Sequence, residues 1–81
     1  MNKPTVTFRS EIRITEPRPT QKGYSCRWDF DVRFSNSDHL VGYGHRVVAD
    51  TFIAAQSLAL QEAVQHSDEL NPDELSYLKY Y

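Results

Sequence analysis

A thiol and an imidazole are the side chains of this sequence that could act together as nucleophile and base. The chain has one cysteine, Cys26, and three histidines, of which His45 is expected diagonally across a strand pair from it. A catalytic thiol must be accessible, and its base needs a third group to orient it. Cys26 instead alternates with apolar residues, where a thiol behaves as a small hydrophobe. The sequence therefore predicts that the protein is not an enzyme.

Cofactor and metal sites are not indicated by the remaining motifs. The segment 42–45, GYGH, lacks the length and the Lys of a phosphate-binding loop. One Cys and three separated His do not have the spacing of a tetrahedral zinc site. We therefore expect no cofactor and no metal, and we interpret His39, His45 and His66 as structural.

Arginines on one face of the predicted sheet and tyrosines near residue 81 are the candidate interaction residues. The arginines are interspersed with acids, and the aromatic residues that could stack on bases fall on the other face. The net charge of −2 also argues against a general nucleic-acid binder. Tyr is enriched in protein interfaces. The predicted interaction surface comprises Arg9, Arg13, Arg27, Arg33, Arg46, Tyr77, Tyr80 and Tyr81.

Three segments have the alternation that predicts strands. Residues 24–34, YSCRWDFDVRF, place apolar side chains on one face and charged ones on the other, which predicts a half-buried central strand. Residues 5–15 alternate in the same way, with Phe8 inward and Arg9 outward. Residues 39–49 form a less regular third strand. Its two glycines, Gly42 and Gly44, favour a bulge over a close approach of a ligand or another backbone.

Charge pairing predicts the register of the first two strands. Antiparallel residues that lie directly opposite share a face, so the two apolar sets must oppose each other. Placing Ile14 opposite Tyr24 pairs Glu11 with Arg27 and also sets Arg9 against an aspartate. The alternative register, shifted by two residues, opposes like charges, so the first is expected.

Two helices are predicted after the strands. Residues 51–67 lack Gly and Pro and follow Asp50, which can cap the helix. A line of small residues at helical spacing would let this helix approach a sheet closely, with larger neighbours such as Ile53 and Leu60 reaching into the core. The sequence Asn71-Pro72-Asp73-Glu74 predicts a second, short helix over residues 72–79.

These elements predict an α+β fold in the order βββαα. A three-stranded antiparallel meander carries one long helix on one face, and a short C-terminal helix follows. Residues 1–81 are expected to form a single domain. No apolar run approaches the length of a membrane span, and residues 1–8 contain no signal core, so an intracellular, cytoplasmic protein is expected.

The strand–helix junction resembles small uncharacterised bacterial families in which a β-meander is followed by one helix. Residues 49–60, ADTFIAAQSLAL, carry the Asp-Ser/Thr junction and the later Ala-Leu pair, and Cys26-x-Trp28 resembles the central strand. The resemblance implies this fold and implies no catalytic residues. Among proteins of this shape are also mobile-element inhibitors and toxin-immunity proteins.

The predicted function is that of a small protein-interaction module or regulator. One helix leaves the opposite sheet face and the sheet edges open, and no chemical site is recognisable. The partner would be another protein or a second copy of the chain. A nucleic-acid-associated accessory protein is the alternative that the arginines leave open, and a mobile-element inhibitor or toxin-immunity protein is another.

Overall fold

The computed structural model describes residues 4–70 as an antiparallel sheet with one helix packed on it. In chain order the elements are β1 (Val6–Arg9), β2 (Arg13–Ile14), β3 (Arg18–Thr20), β4 (Gly23–Phe34), β5 (Leu40–Ala49) and α1 (Phe52–Leu70). The α+β class and the antiparallel sheet are therefore confirmed. The predicted count of three strands is wrong, because the sheet has five.

The central strand is β4, as the alternation of residues 24–34 predicts. It pairs with β1, β2 and β3 along one edge and with β5 along the other. Cys26, Trp28, Phe30 and Val32 are each no more than 1% exposed. The charged residues between them lie on the opposite, uncovered face. One face of β4 therefore builds the core, and we call the opposite side of the sheet the outer face.

The segments before β4 depart from the prediction because the chain reverses later than expected. Gln21 and Lys22 form a tight turn that places Thr20 opposite Gly23, so the segment between the first two predicted strands contains β3. The predicted strand over residues 5–15 is broken into β1 and β2. A sequence with two prolines indicates a loop, but a short edge strand also tolerates proline.

The predicted register of the first strand against β4 is wrong. Ile14 lies opposite Trp28 rather than Tyr24, and Arg13 lies opposite Asp29. The physical rule behind the prediction still holds, since unlike charges oppose each other on the outer face. The tight turn sets the alignment of the two strands. It places Arg13, instead of the predicted Arg9, opposite Asp29.

A bulge in β1 exchanges the faces of two side chains. The register shifts between Val6 and Phe8, and Arg9 then lies opposite Val32. A slip of one residue moves every following side chain to the other face. Phe8 is consequently 43% exposed and Arg9 only 8% exposed, so the predictions of an inward Phe8 and an outward Arg9 are both wrong.

The strand β5 pairs with β4 in one uninterrupted register, so the bulge predicted from its glycines is wrong. Gly42 lies opposite Asp31 and Gly44 opposite Asp29. A Cβ on Gly44 would lie 2.7 Å from Arg27 Nη2. The glycines therefore leave room on the outer face for charged side chains of β4.

The start of α1 is capped by Thr51 and not by Asp50 as predicted. The amide of Ala54 donates to Thr51 Oγ1 at 3.1 Å. Such a bond satisfies one of the amides that the first helical turn leaves without a partner.

The buried line of α1 consists of small residues, as predicted. Ala55, Ala59 and Ala63 are fully buried against the sheet. Ile53 and Leu60 are 72% and 48% exposed, so the prediction that they reach into the core is wrong. The alanine line lies closest to the sheet, and residues to one side of it project past the sheet.

No helix among residues 4–70 combines the length and the apolar character that crossing a membrane requires. The short helix predicted over residues 72–79 lies outside the described residues.

Candidate functional site

The centre of the outer face is held by one arginine and two aspartates. Arg13 Nη2 donates to Asp31 Oδ2 at 3.0 Å, and Arg13 Nε donates to Asp29 Oδ1. The hydrogen bonds, first to Asp31 and then to Asp29, raise the pKa of Arg13 above its ordinary value. Both carboxylates thus share one guanidinium, and within the described part of the chain neither forms an ion pair with a second arginine.

A basic end of the outer face lies next to this centre. Arg27 and Arg46 lie directly opposite each other on β4 and β5. Together with Arg18 they line a concavity of about 240 Å³. Within residues 4–70 none of these three arginines forms an ion pair. The basic end therefore carries positive charge that the described residues leave without direct pairing.

The other predicted interaction residues do not join this group. The Arg33 guanidinium lies 5.8 Å from the centre of the Phe8 ring. Arg9 is buried on the core side of the sheet. The structure thus brings together Arg27 and Arg46 and separates Arg9 and Arg33 from them. The predicted contact residues Tyr77, Tyr80 and Tyr81 lie outside the described residues.

A carboxylate joins the helix to the core side of the sheet. Glu62 Oε1 accepts a hydrogen bond from Trp28 Nε1 at 3.2 Å and lies 2.8 Å from His45 Nδ1. The bond with His45, and then that with Trp28, lower the pKa of Glu62 below its ordinary value, against the opposing effect of burial. An ionised carboxylate can only accept, so Nδ1 of His45 carries the proton.

A groove of about 430 Å³ surrounds this carboxylate. The ring of His66 packs 5.4 Å from Trp28 and 6.1 Å from Tyr43, measured between centroids. His66 therefore packs on the aromatic rings. The groove is lined by Trp28, Gly42, Tyr43, Gly44, His45, Glu62 and His66. Glu62 can orient the imidazole of His45, but among the residues that the structure describes no hydroxyl of Ser or Thr and no thiol lines the groove.

The nucleophile and base considered from the sequence have separate partners. Cys26 Sγ is buried and donates to the carbonyl oxygen of Thr15 at 3.1 Å. His45 Nδ1 is bonded to Glu62, and its side chain is 63% exposed. No group of three or more His, Cys, Asp or Glu within residues 4–70 could hold a metal ion.

Sequence reasoning missed Glu62 and Arg18. Glu62 and His66 are one helical turn apart, on the side of the alanine line that faces β5, and this spacing is a signal that could have located them. Arg18 lies between two prolines in a segment that indicates a loop, so no pattern places it beside Arg27.

Comparison of the chain with protein-family models, curated proteins and solved structures found no match.

Proposed function

We propose that the protein is a small interaction module without catalytic activity, and that it binds through the free edge of β5. Strand addition at a sheet edge uses main-chain hydrogen bonds for affinity and side-chain contacts for specificity. Among the described residues, β5 pairs only with β4, which leaves one side of a regular ten-residue strand open. This open edge is the observation that carries the proposal.

The edge carries few of the features by which sheets prevent such pairing. Proteins protect edge strands with proline, charged side chains (lysine above all), bulges or inward-pointing charges. The sequence of β5, LVGYGHRVVA, has no proline, lysine or acid, its register has no bulge, and Arg46 is its one arginine. Leu40, Val41 and Val48 are 49%, 40% and 56% exposed, so the strand also offers apolar side chains to a partner.

The partner that fits this edge is a second copy of the chain. In an antiparallel pair, directly opposed residues share a face. A twofold axis through Gly44 places Leu40 opposite Val48 of the second copy, and Val41 opposite its Val47. Each exposed apolar residue of the strand then meets another apolar residue.

Neighbouring registers are less favourable. An axis through Arg46 would set that residue against its own copy, and opposed like charges are destabilising. An axis through Tyr43 would set Leu40 opposite Arg46. With the axis at Gly44, Arg46 lies opposite Gly42, where no side chain obstructs it.

Light scattering during size-exclusion chromatography tests the proposal. We expect the wild-type mass to be that of two chains, and Val48→Lys to elute as a folded monomer. Ile53→Lys is the matched control, because Ile53 is also exposed and apolar but lies on α1. A wild-type monomer at the highest attainable concentration would contradict the proposal, as would a dimer that only Ile53→Lys disrupts.

Cysteine cross-linking tests the register. Directly opposed residues have Cβ atoms about 4.5–5.5 Å apart, which is near the range of a disulfide. The double variant Leu40→Cys/Val48→Cys should form a covalent dimer on oxidation, whereas Leu40→Cys alone should not. Cys26 does not interfere, because it is buried. Cross-linking of the single variant would place the axis elsewhere.

We propose that the module acts in the cytoplasm. Its one cysteine is a buried free thiol, which suits a reducing compartment. Localisation of a tagged copy in cells of the source organism tests this assignment.

A further inference from the structure

Three strands each contribute one arginine to the basic end of the outer face. Arg18 lies on β3 opposite Ser25, and Arg27 follows Ser25 by two residues on the same face of β4. Arg46 lies directly opposite Arg27 on β5. The sheet itself therefore fixes the backbones of all three arginines around one concavity.

The charges around this concavity are unbalanced. Among the described residues Glu16 is the one acid that lines it, and within residues 4–70 Glu16 forms no ion pair with the arginines. The nearby aspartates, Asp29 and Asp31, are already bonded to Arg13. Arg27 and Arg46 are opposed like charges, which is an unfavourable arrangement that a bound anion would relieve.

We propose that Arg18, Arg27 and Arg46 form a binding site for a phosphate group. A guanidinium presents a planar fork of donors that matches phosphate oxygens, and it stays charged at any physiological pH. The volume of about 240 Å³ admits a small anion. The hydroxyl of Thr15, another lining residue, accepts from the Arg27 amide at 3.0 Å and thereby ties the site to β4.

Titration of the folded protein with inorganic phosphate, followed by NMR of the arginine Nε–H groups, tests this site. A second titration uses a nucleoside monophosphate, and sodium chloride at matched ionic strength is the control. We expect saturable shifts at the three arginines with phosphate and none that saturate with chloride. A response to the nucleotide alone would assign a phosphate monoester as the ligand. Saturation by both would assign the phosphate group itself.

Matched variants identify the residues that bind. Arg46→Gln and Arg18→Gln should each weaken phosphate binding by about tenfold, since each removes a charge-assisted contact. Arg33→Gln should change it by less than about twofold, because Arg33 lies beyond the aspartates on the same face. Glu16→Gln should tighten it, since the variant removes the one opposing carboxylate. Circular dichroism confirms that each variant is folded.

Two outcomes would overturn the proposal. One is equal, non-saturating shifts at Arg33 and at the three arginines, which would indicate only general screening by ions. The other is tight binding of a single-stranded oligonucleotide, equally weakened by Arg33→Gln and Arg46→Gln, with no response to small phosphates. That result would indicate a diffuse nucleic-acid surface instead of a phosphate site.

Discussion

Glu62 satisfies two donors with a single carboxylate oxygen. The indole of Trp28 is almost completely buried, and among the described residues Glu62 is the one hydrogen-bond partner of its N–H. Leaving a buried donor unpaired costs about 1–3 kcal/mol. The same oxygen holds the imidazole of His45. This residue therefore couples the rotation of α1 to the central strand.

The hydrogen bonds of Glu62 make stability depend on pH. Its pKa in the folded state lies below the ordinary value of 4.5. The stabilisation is therefore fully present above about pH 4.5 and is lost as the pH falls through the folded-state value. Thermal melts of Glu62→Gln between acid and neutral pH should show a flatter dependence than the wild type. Glu11→Gln, which removes an exposed carboxylate instead, is the matched control. Equal slopes for wild type and Glu62→Gln would contradict the argument.

Gly23 is required by both its conformation and its surroundings. Its φ is +146°, and an added Cβ would collide with the carbonyl oxygen of Ala49. We expect Gly23→Ala to lower the free energy of unfolding by more than about 1 kcal/mol. Gly42→Ala is the control, since its Cβ would meet only Asp31 Oδ1 at 3.5 Å. Urea unfolding should show Gly42→Ala as stable as wild type or slightly more so; a larger loss there than at Gly23 would refute the argument.

At the scale of the element, α1 is fixed by close approach to the sheet. The alanines at i, i+4 and i+8 are predictable from the sequence because three small residues on one helical line are rarely accidental. The orientation of their larger neighbours was not predictable. It depends on where the sheet ends, and a helical pattern contains no information about that edge.

A larger residue on the alanine line should separate the helix from the sheet. Ala59→Leu adds volume at a fully buried position, and such overpacking costs about 1–3 kcal/mol. Leu60→Ala removes volume from the neighbouring, largely exposed position and should cost less than Ala59→Leu. Urea unfolding midpoints at constant m-value compare the two variants. The interpretation of the alanine line would fail if the second substitution were the more damaging.

The first strand shows where a sequence pattern fails to predict which side chains are buried. Val6 and Ile12 are buried, six residues apart as alternation requires, yet the bulge near Phe8 reverses the faces between them. Ser10 supports this irregular stretch, because its hydroxyl accepts from the Asp31 amide at 2.8 Å. Bulges and turns are stabilised by contacts with another strand. One strand's pattern therefore does not reveal them.

At the scale of the molecule, the sheet and helix are predictable because periodicity repeats over many residues. The central strand has its predicted extent within one residue. The residues of the candidate sites do not recur at a regular spacing in the sequence. Glu62 contacts His45 only because the helix packs on the sheet. Arg18 and Arg46 line the same concavity only because of the register of three strands. Sites of this kind follow from the assembled fold and are not visible in any one segment.

Pairing of two sheets through β5 would also couple stability to concentration. A partner that binds only the folded chain stabilises it by mass action. A tenfold rise in concentration then corresponds to a shift in melting temperature of about 3–6 °C for a chain of this size. Differential scanning calorimetry of the wild type over a wide concentration range should show this rise.

The variants used for the mass measurement distinguish this coupling from aggregation. Val48→Lys should melt at a constant temperature at all concentrations, because the lysine cannot enter the apolar contact with Leu40. Ile53→Lys should retain the wild-type dependence, since its substitution lies on the helix. A concentration-independent wild type would contradict pairing. A dependence that survives in Val48→Lys would show that the copies meet elsewhere, because the lysine lies directly in the proposed contact.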